Sequence, residues 1–249
     1  MRVLALAAAL ISFGMAGAQT AKREVAVAAA ANLSTVFQTL GPKFESESGI
    51  HPVFSFASTA QLAVQIENGA PFDVFAAADV EHIDALEKKS LLVPGSRAIY
   101  ATGILALWIP PGSHAAVSQV ADLTQPAVKV IALAKPELAP YGFAARETLQ
   151  KLGIWNQVQP RIVYADNISM AKQYGTSGNA DAVFTAYSLV LKERGKVIPV
   201  DEKLHSPIDQ ALAIVAASKN QDAAKAFTTW LLTGHGRDGL RSFGYRVGH

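Results

Sequence analysis

The sequence predicts an α/β fold built on mainly parallel sheets. Short apolar runs alternate with helical patterns from residue 24 onward, and small or polar residues sit where four of the strands or turns give way to helices. Half of the 249 residues are hydrophobic and only 17% are charged, enough apolar matter for one large or two small buried cores. That composition excludes a disordered chain. A net charge of +2 without a Lys/Arg cluster argues against nucleic acid as a partner. The absence of cysteine removes disulfide scaffolds, thiolate metal sites and cysteine nucleophiles.

In chain order, Arg2, the apolar run 3–13 and Ala16-Gly17-Ala18 have the layout of a signal peptide with an A-x-A cleavage site, predicted to span residues 1–18. Cleavage there takes Arg2 and one positive charge with it. No later apolar run approaches the ~18–20 residues that span a bilayer, so the mature protein reads as exported, soluble and periplasmic. Strands are predicted at 24–30, 53–56, 73–77, 103–109, 128–134, 161–164, 182–185, 197–200 and 211–216. Between the first two, Leu33, Val36, Phe37, Leu40 and Phe44 have helical spacing, with Pro42 expected to kink or split the helix. Leu62, Ala63 and Ile66 mark a second helix stopped by Gly69, and Ile83, Leu86 and Leu91 a third. Phe143 to Leu152 forms a fourth, closed by Gly153. Residues 223–232 and 239–243 complete the set. Pro110-Pro111-Gly112 and the polar stretch to Gln125 read equally well as an interdomain linker or a long loop.

The chemistry-bearing feature is a set of four helix starts: Ala29-Ala30-Ala31-Asn32, Ala57-Ser58-Thr59, Pro140-Tyr141-Gly142 and Asp166-Asn167-Ile168. A helix N-terminus exposes unpaired backbone N–H groups and the positive end of its dipole. Several converging at strand ends make an anion site with no charged side chain. Asn32, Ser58 and Thr59 add side-chain donors in this reading, or serve simply as N-caps. Catalytic and metal constellations are weak. Ser169 and Lys172 match S-x-x-K, but neither S-D-N nor K-T-G follows. The six histidines show no ligand spacing. Tyr141, Tyr164, Tyr174 and Tyr187 include possible ferric-iron ligands, with packing the commoner role. No catalytic residue and no direct metal ligand is assigned.

The block Ser55-Phe56-Ala57-Ser58-Thr59, with Leu62, Gln65-Ile66-Glu67-Asn68-Gly69-Ala70-Pro71 and Asp73-Val74-Phe75, resembles the periplasmic molybdate-binding proteins of ABC importers. So do Lys151-Leu152-Gly153-Ile154-Trp155 and Ser242-Phe243-Gly244-Tyr245, and the likeness runs from about residue 24 to 245. It implies a two-lobed type II periplasmic binding protein, each lobe a mixed, mainly parallel sheet flanked by helices, with the ligand cleft between lobes. Residues 19–104 plus 209–249 would form lobe I and 105–208 lobe II, which turns Pro110-Pro111 into a loop inside lobe II.

Carried over one at a time, the family's oxyanion-binding positions fall on Asn32, Ser58, Thr59, Tyr141 and Ile168, the last through its backbone N–H. Some relatives place a ligand-bonding tyrosine where Ala186 stands here. Tyr187 is one residue later, a shift that turns it to the other side. The resemblance implies molybdate and tungstate as ligands with no cofactor, a monomer, and a membrane permease as partner. Sulfate, thiosulfate or ferric iron is the alternative cargo, and an S-x-x-K hydrolase the alternative from another class.

Overall fold

The computed structural model describes residues 23–248, so the expected signal peptide lies outside the described residues. Two five-stranded sheets organise the chain. The first receives β1 (Arg23–Ala30), β2 (Ile50–Ala57), β3 (Val74–Ala76), β4 (Ala98–Gly103) and, from much later in the chain, β10 (Ile208–Ile214). The second holds β5 (Leu105–Ile109), β6 (Ile131–Ala134), β7 (Ile162–Ala165), β8 (Ala182–Ala186) and β9 (Lys196–Pro199).

Their orders, β2-β1-β3-β10-β4 and β7-β6-β8-β5-β9, are the same pattern. In each, three parallel strands are followed by one antiparallel strand that directly adjoins a crossing between the halves. The mixed sheets, mainly parallel and covered on both faces, match the predicted class.

The burial pattern explains why these runs became strands. From Val25 onward β1 is apolar and almost continuously buried, as a strand covered on both faces must be. Val25, Val27 and Ala29 face Phe37 and Phe44 of α1 (Ser34–Ser48) and Phe227 of α8 (Gln221–Leu232). Ala28 faces the opposite core, formed with Leu62 and Ile66 of α2 (Thr59–Glu67) and Ile83 and Leu86 of α3 (Glu81–Lys88). The second sheet repeats this sandwich. Leu105, Leu107, Ile131, Leu133 and Phe184 pack on α4 (Pro140–Lys151). Trp108, Ala132 and Val183 pack on α6 (Ile168–Thr176) and α7 (Tyr187–Val190). A short α5 (Trp155–Val158) leads into β7, and α9 (Gly234–Ser242) closes the chain against α1 and α8.

Two expectations need correction. The run 103–109 is not one strand. β4 ends at Gly103 beside β10, β5 begins at Leu105 beside β8 and β9, and Ile104 bridges the sheets. An apolar run cannot reveal that its two ends pair with different sheets. Nor does Pro42 split its helix: α1 runs through it. The preceding residue is Gly41, whose missing Cβ relieves the clash with the proline ring, and the Gln38 carbonyl left without a donor belongs to an exposed residue. Pro110-Pro111-Gly112 follow β5 and lead to β6 of the same sheet, so they are a loop rather than a passage between the halves. No helix among the described residues is long and apolar enough to cross a membrane.

Candidate functional site

Four chain segments leave the carboxyl ends of parallel strands and meet. β1 ends at Ala30 and turns through a short 3-10 segment, Ala31–Leu33, into α1. β2 ends at Ala57 and α2 starts at Thr59. In the other half, α4 starts at Pro140 after β6, and α6 starts at Ile168 directly after β7. These are the carboxyl edges at which open α/β sheets present their ligands. The four starts border a small cavity of about 10 Å3. Ala30, Ala31, Ala78, Ala139 and Pro140 line it, together with all five predicted residues: Asn32, Ser58, Thr59, Tyr141 and Ile168. Each of the five is at most 3% exposed.

The five differ in what they can offer. Thr59 is the first residue of α2, and its Oγ1 accepts a hydrogen bond from the Ala78 N–H at 3.1 Å. With that lone pair occupied, the hydroxyl proton is available as a donor. Ser58 is otherwise engaged. It forms a capping box with Gln61: its Oγ donates to Gln61 Oε1 at 2.8 Å and accepts from the Gln61 N–H, while its own N–H also reaches Gln61 Oε1.

Asn32 does not act as a side-chain donor toward the cavity. Its amide donates to Gln210 Oε1 and Tyr245 Oη, both at 2.9 Å, so both protons are spent. The expectation of side-chain donors from Ser58 and Asn32 is corrected to this extent, because both hydroxyl and amide found partners inside the protein. Ile168 opens α6 behind an Asn167 cap that accepts from the Met170 N–H, which leaves the Ile168 N–H pointing out of the helix start.

Tyr141, in the first turn of α4, accepts at its Oη from Gln210 Nε2 at 2.8 Å. Burial pushes its phenol well above the ordinary range, partly offset by the amides of Gln210 and Asn32. It therefore stays protonated, as a donor, at every physiological pH. Tyr187 packs against Gly244 and lines a separate surface hollow with Ile104, Val200 and Arg246, away from the cavity.

No Lys, Arg, His, Asp or Glu lines the cavity. A wider groove of about 610 Å3 opens beside it, sharing Ala78, Ala139 and Pro140, and is edged by Asp79, Glu81, Glu137, Glu147 and Asp209. Those carboxylates would repel an anion, whereas the small cavity carries no charged side chain. The two halves are closed over it: the Ala60 N–H donates to the Leu138 carbonyl at 3.2 Å, and Ser169 Oγ donates to the Ala31 carbonyl at 2.8 Å. That contact also disposes of the S-x-x-K pair, since Ser169 is bonded across the cleft while Lys172 pairs with Glu193. Among the described residues no three His, Cys, Asp or Glu side chains are grouped to hold a metal.

With no titrating group in the lining other than a phenol held protonated, anion binding is expected to be flat between pH 6.5 and 9. Titrations at several pH values check this, and a fall in affinity across that range would require an ionising group in the site.

Residues 25–246 match the bacterial extracellular solute-binding protein family. The chain belongs to that family. This solute-binding protein is 36% identical over 250 residues to the molybdate-binding protein of Azotobacter vinelandii, covering 98% of this chain and 96% of the relative. It is 35% identical over 223 residues to that of Rhodobacter capsulatus, covering 89% and 88%. Among solved structures, the A. vinelandii periplasmic molybdate-binding protein superposes with a TM-score of 0.86 at 29% identity, over 90% of this chain and all of the other.

Sequence reasoning found the four helix starts but missed Gln210, Tyr100, Ser188 and Tyr245, which stand behind them. Only Tyr245 carried a signal, as part of the Ser242-Phe243-Gly244-Tyr245 block.

Proposed function

We propose that the protein captures molybdate, and tungstate equally, in the periplasm and hands it to the membrane permease of an ABC importer. It acts as a binding protein rather than an enzyme, as a monomer, and without a cofactor. The lobes divide as 19–104 plus 209–249 against 105–208. The observation that carries this reading is a small cavity at four helix starts whose lining holds no charged side chain. Its relatives named as molybdate-binding proteins support the choice of oxyanion.

A fully deprotonated dianion only accepts hydrogen bonds, so backbone N–H groups, the Thr59 hydroxyl and the Tyr141 phenol suit it. Protonated phosphate must place its O–H against an acceptor, and the ring of donors offers it none. Sulfate matches in charge and shape and differs in size. A smaller anion cannot touch every donor at once, and each buried donor left unpaired costs about 1–3 kcal/mol. Tungstate is nearly the size of molybdate, so the cavity has no means to reject it. Closure of the lobes around the ion is hinge motion at the two crossings.

Calorimetric titration with molybdate, tungstate and sulfate tests the proposal. Molybdate and tungstate should bind alike, with sulfate weaker by at least an order of magnitude. Sulfate binding as tight as molybdate would remove the size argument and favour a general oxyanion carrier.

A further inference from the structure

Behind the cavity lies a buried polar network that joins the two halves and that the binding role does not by itself require. Gln210, on β10 beside the second crossing, is 0% exposed and sits at its centre. Its Oε1 faces two donors, Asn32 Nδ2 at 2.9 Å and Tyr100 Oη at 2.7 Å; the Tyr100 hydroxyl also lies 2.9 Å from the Ala77 carbonyl. Its Nε2 faces Tyr141 Oη at 2.8 Å.

The direction of these bonds is anchored at the far end by a group that can only accept, the Asn32 backbone carbonyl. Tyr245 Oη donates to that carbonyl at 2.9 Å, and Ser188 Oγ lies within donating reach of both, 3.0 Å from Tyr245 Oη and 3.2 Å from the carbonyl. Having spent its proton, Tyr245 takes an N–H from the Asn32 amide at 2.9 Å. The other Asn32 N–H then points to Gln210, whose oxygen must be the accepting end, and the Gln210 N–H is left to meet Tyr141. A phenol that accepts from an amide cannot donate back to it, so its single proton is turned away from Gln210.

We propose that Gln210 is a positioning residue that sets the polarity of the site: by donating to Tyr141 Oη, it obliges the Tyr141 hydroxyl to present its proton to the bound oxyanion. Gln210 touches no ligand and acts through Tyr141. It is a specificity device because the same phenol, free to rotate, offers a lone pair to a protonated competitor. Asn32, a lining residue with its side chain turned inward, belongs to the same chain of bonds and fixes the Gln210 amide from lobe I. The inference rests on the oxyanion-binding reading above.

The test is a double-mutant cycle read by calorimetry with molybdate, comparing the full mature protein with Tyr141→Phe, Gln210→Met and the double variant. Circular dichroism confirms that each is folded. Tyr141→Phe should weaken binding about tenfold or more, and Gln210→Met severalfold, with the double variant no weaker than Tyr141→Phe alone. The ratio of molybdate to hydrogen phosphate affinity should fall in Gln210→Met and not fall further in the double variant. A Gln210 that only supports the fold gives losses that multiply.

Gln210→Glu is the second variant, keeping the shape while placing an acceptor against the phenol. It should lose more affinity than Gln210→Met, because the carboxylate captures the Tyr141 proton. Wild-type affinity in Gln210→Met, tighter binding, or fully multiplying losses would overturn the inference and leave the binding role intact. Failure of the wild-type protein to bind any of the oxyanions would overturn both.

Discussion

Gly103→Ala is expected to weaken molybdate binding by roughly 100-fold while leaving the protein folded. Gly103 is the last residue of β4, at the first crossing, and a methyl group there would stand 2.1 Å from Tyr141 Oη, 2.4 Å from Gln210 Nε2 and 2.8 Å from Tyr141 Cζ. Such separations do not exist between real atoms, so something must move. The backbone is held on one side by pairing of β4 with β10, and Gln210 is 0% exposed and bonded on both ends of its amide, while Tyr141 borders the cavity. The phenol is the group that gives way, toward or out of the cavity.

Losing its bond to a charged ligand and disturbing a neighbouring one amounts to about 3 kcal/mol, two tenfold steps in affinity. Calorimetry on Gly103→Ala, with a thermal melt alongside, checks this. Wild-type affinity would mean that the tyrosine does not bond the ligand. In Tyr141→Phe the steric conflict is smaller, since the missing hydroxyl is the atom struck first, so Gly103→Ala should cost much less in that background.

Thr59→Ala is the second large effect, expected at about 1–3 kcal/mol in binding, or roughly 5- to 150-fold. The hydroxyl accepts from the Ala78 N–H, which leaves its proton free to donate to a ligand in the cavity that Thr59 lines. Alanine removes the donor from the ligand and leaves a buried N–H without an acceptor, so the thermal midpoint should fall as well. Thr59→Ser restores both bonds and should return affinity to near the wild-type value. An unchanged dissociation constant in Thr59→Ala, with a lowered melting point, would reduce the hydroxyl to a structural support for Ala78. Ser58→Ala makes the contrast, since its hydroxyl is committed to Gln61 and its loss should register mainly in stability.

The pair Ser58 and Thr59 also shows where a sequence stops being informative. Adjacent, similar and both lining the cavity, they are equal candidates on paper. One position along the chain separates their fates, because a hydroxyl at the N-cap is within reach of the third residue of its own helix, whereas one at the first helical position must look elsewhere. Asn32 carries the same lesson at longer range. Its amide is spent on Gln210 and Tyr245, 178 and 213 residues away in sequence, and no local pattern announces such partners. Pro42 fails in the opposite sense: a strong local signal is overridden because Gly41 before it and solvent beside Gln38 remove the two penalties a helix-interior proline imposes.

Most of the strands and helices, the apolar faces that bury them and the positions of four helix starts were written locally, as periodicity and as the residue types that begin helices, although β4 over Ala98–Gly103 was not. A backbone dipole belongs to any helix wherever it lies, so the means of holding an anion without a basic residue was legible before any fold was known. The tertiary structure decided that the four starts meet at one cavity, that a single run at 103–109 divides between two sheets, and that the Tyr141 hydroxyl accepts from Gln210. Those are matters of which distant groups come within 3 Å, and hydrogen-bond partnership at that distance is set by chain topology rather than by neighbours in sequence. The near-neutral composition counts side chains alone, whereas the field proposed to hold a dianion here comes from the arrangement of the backbone.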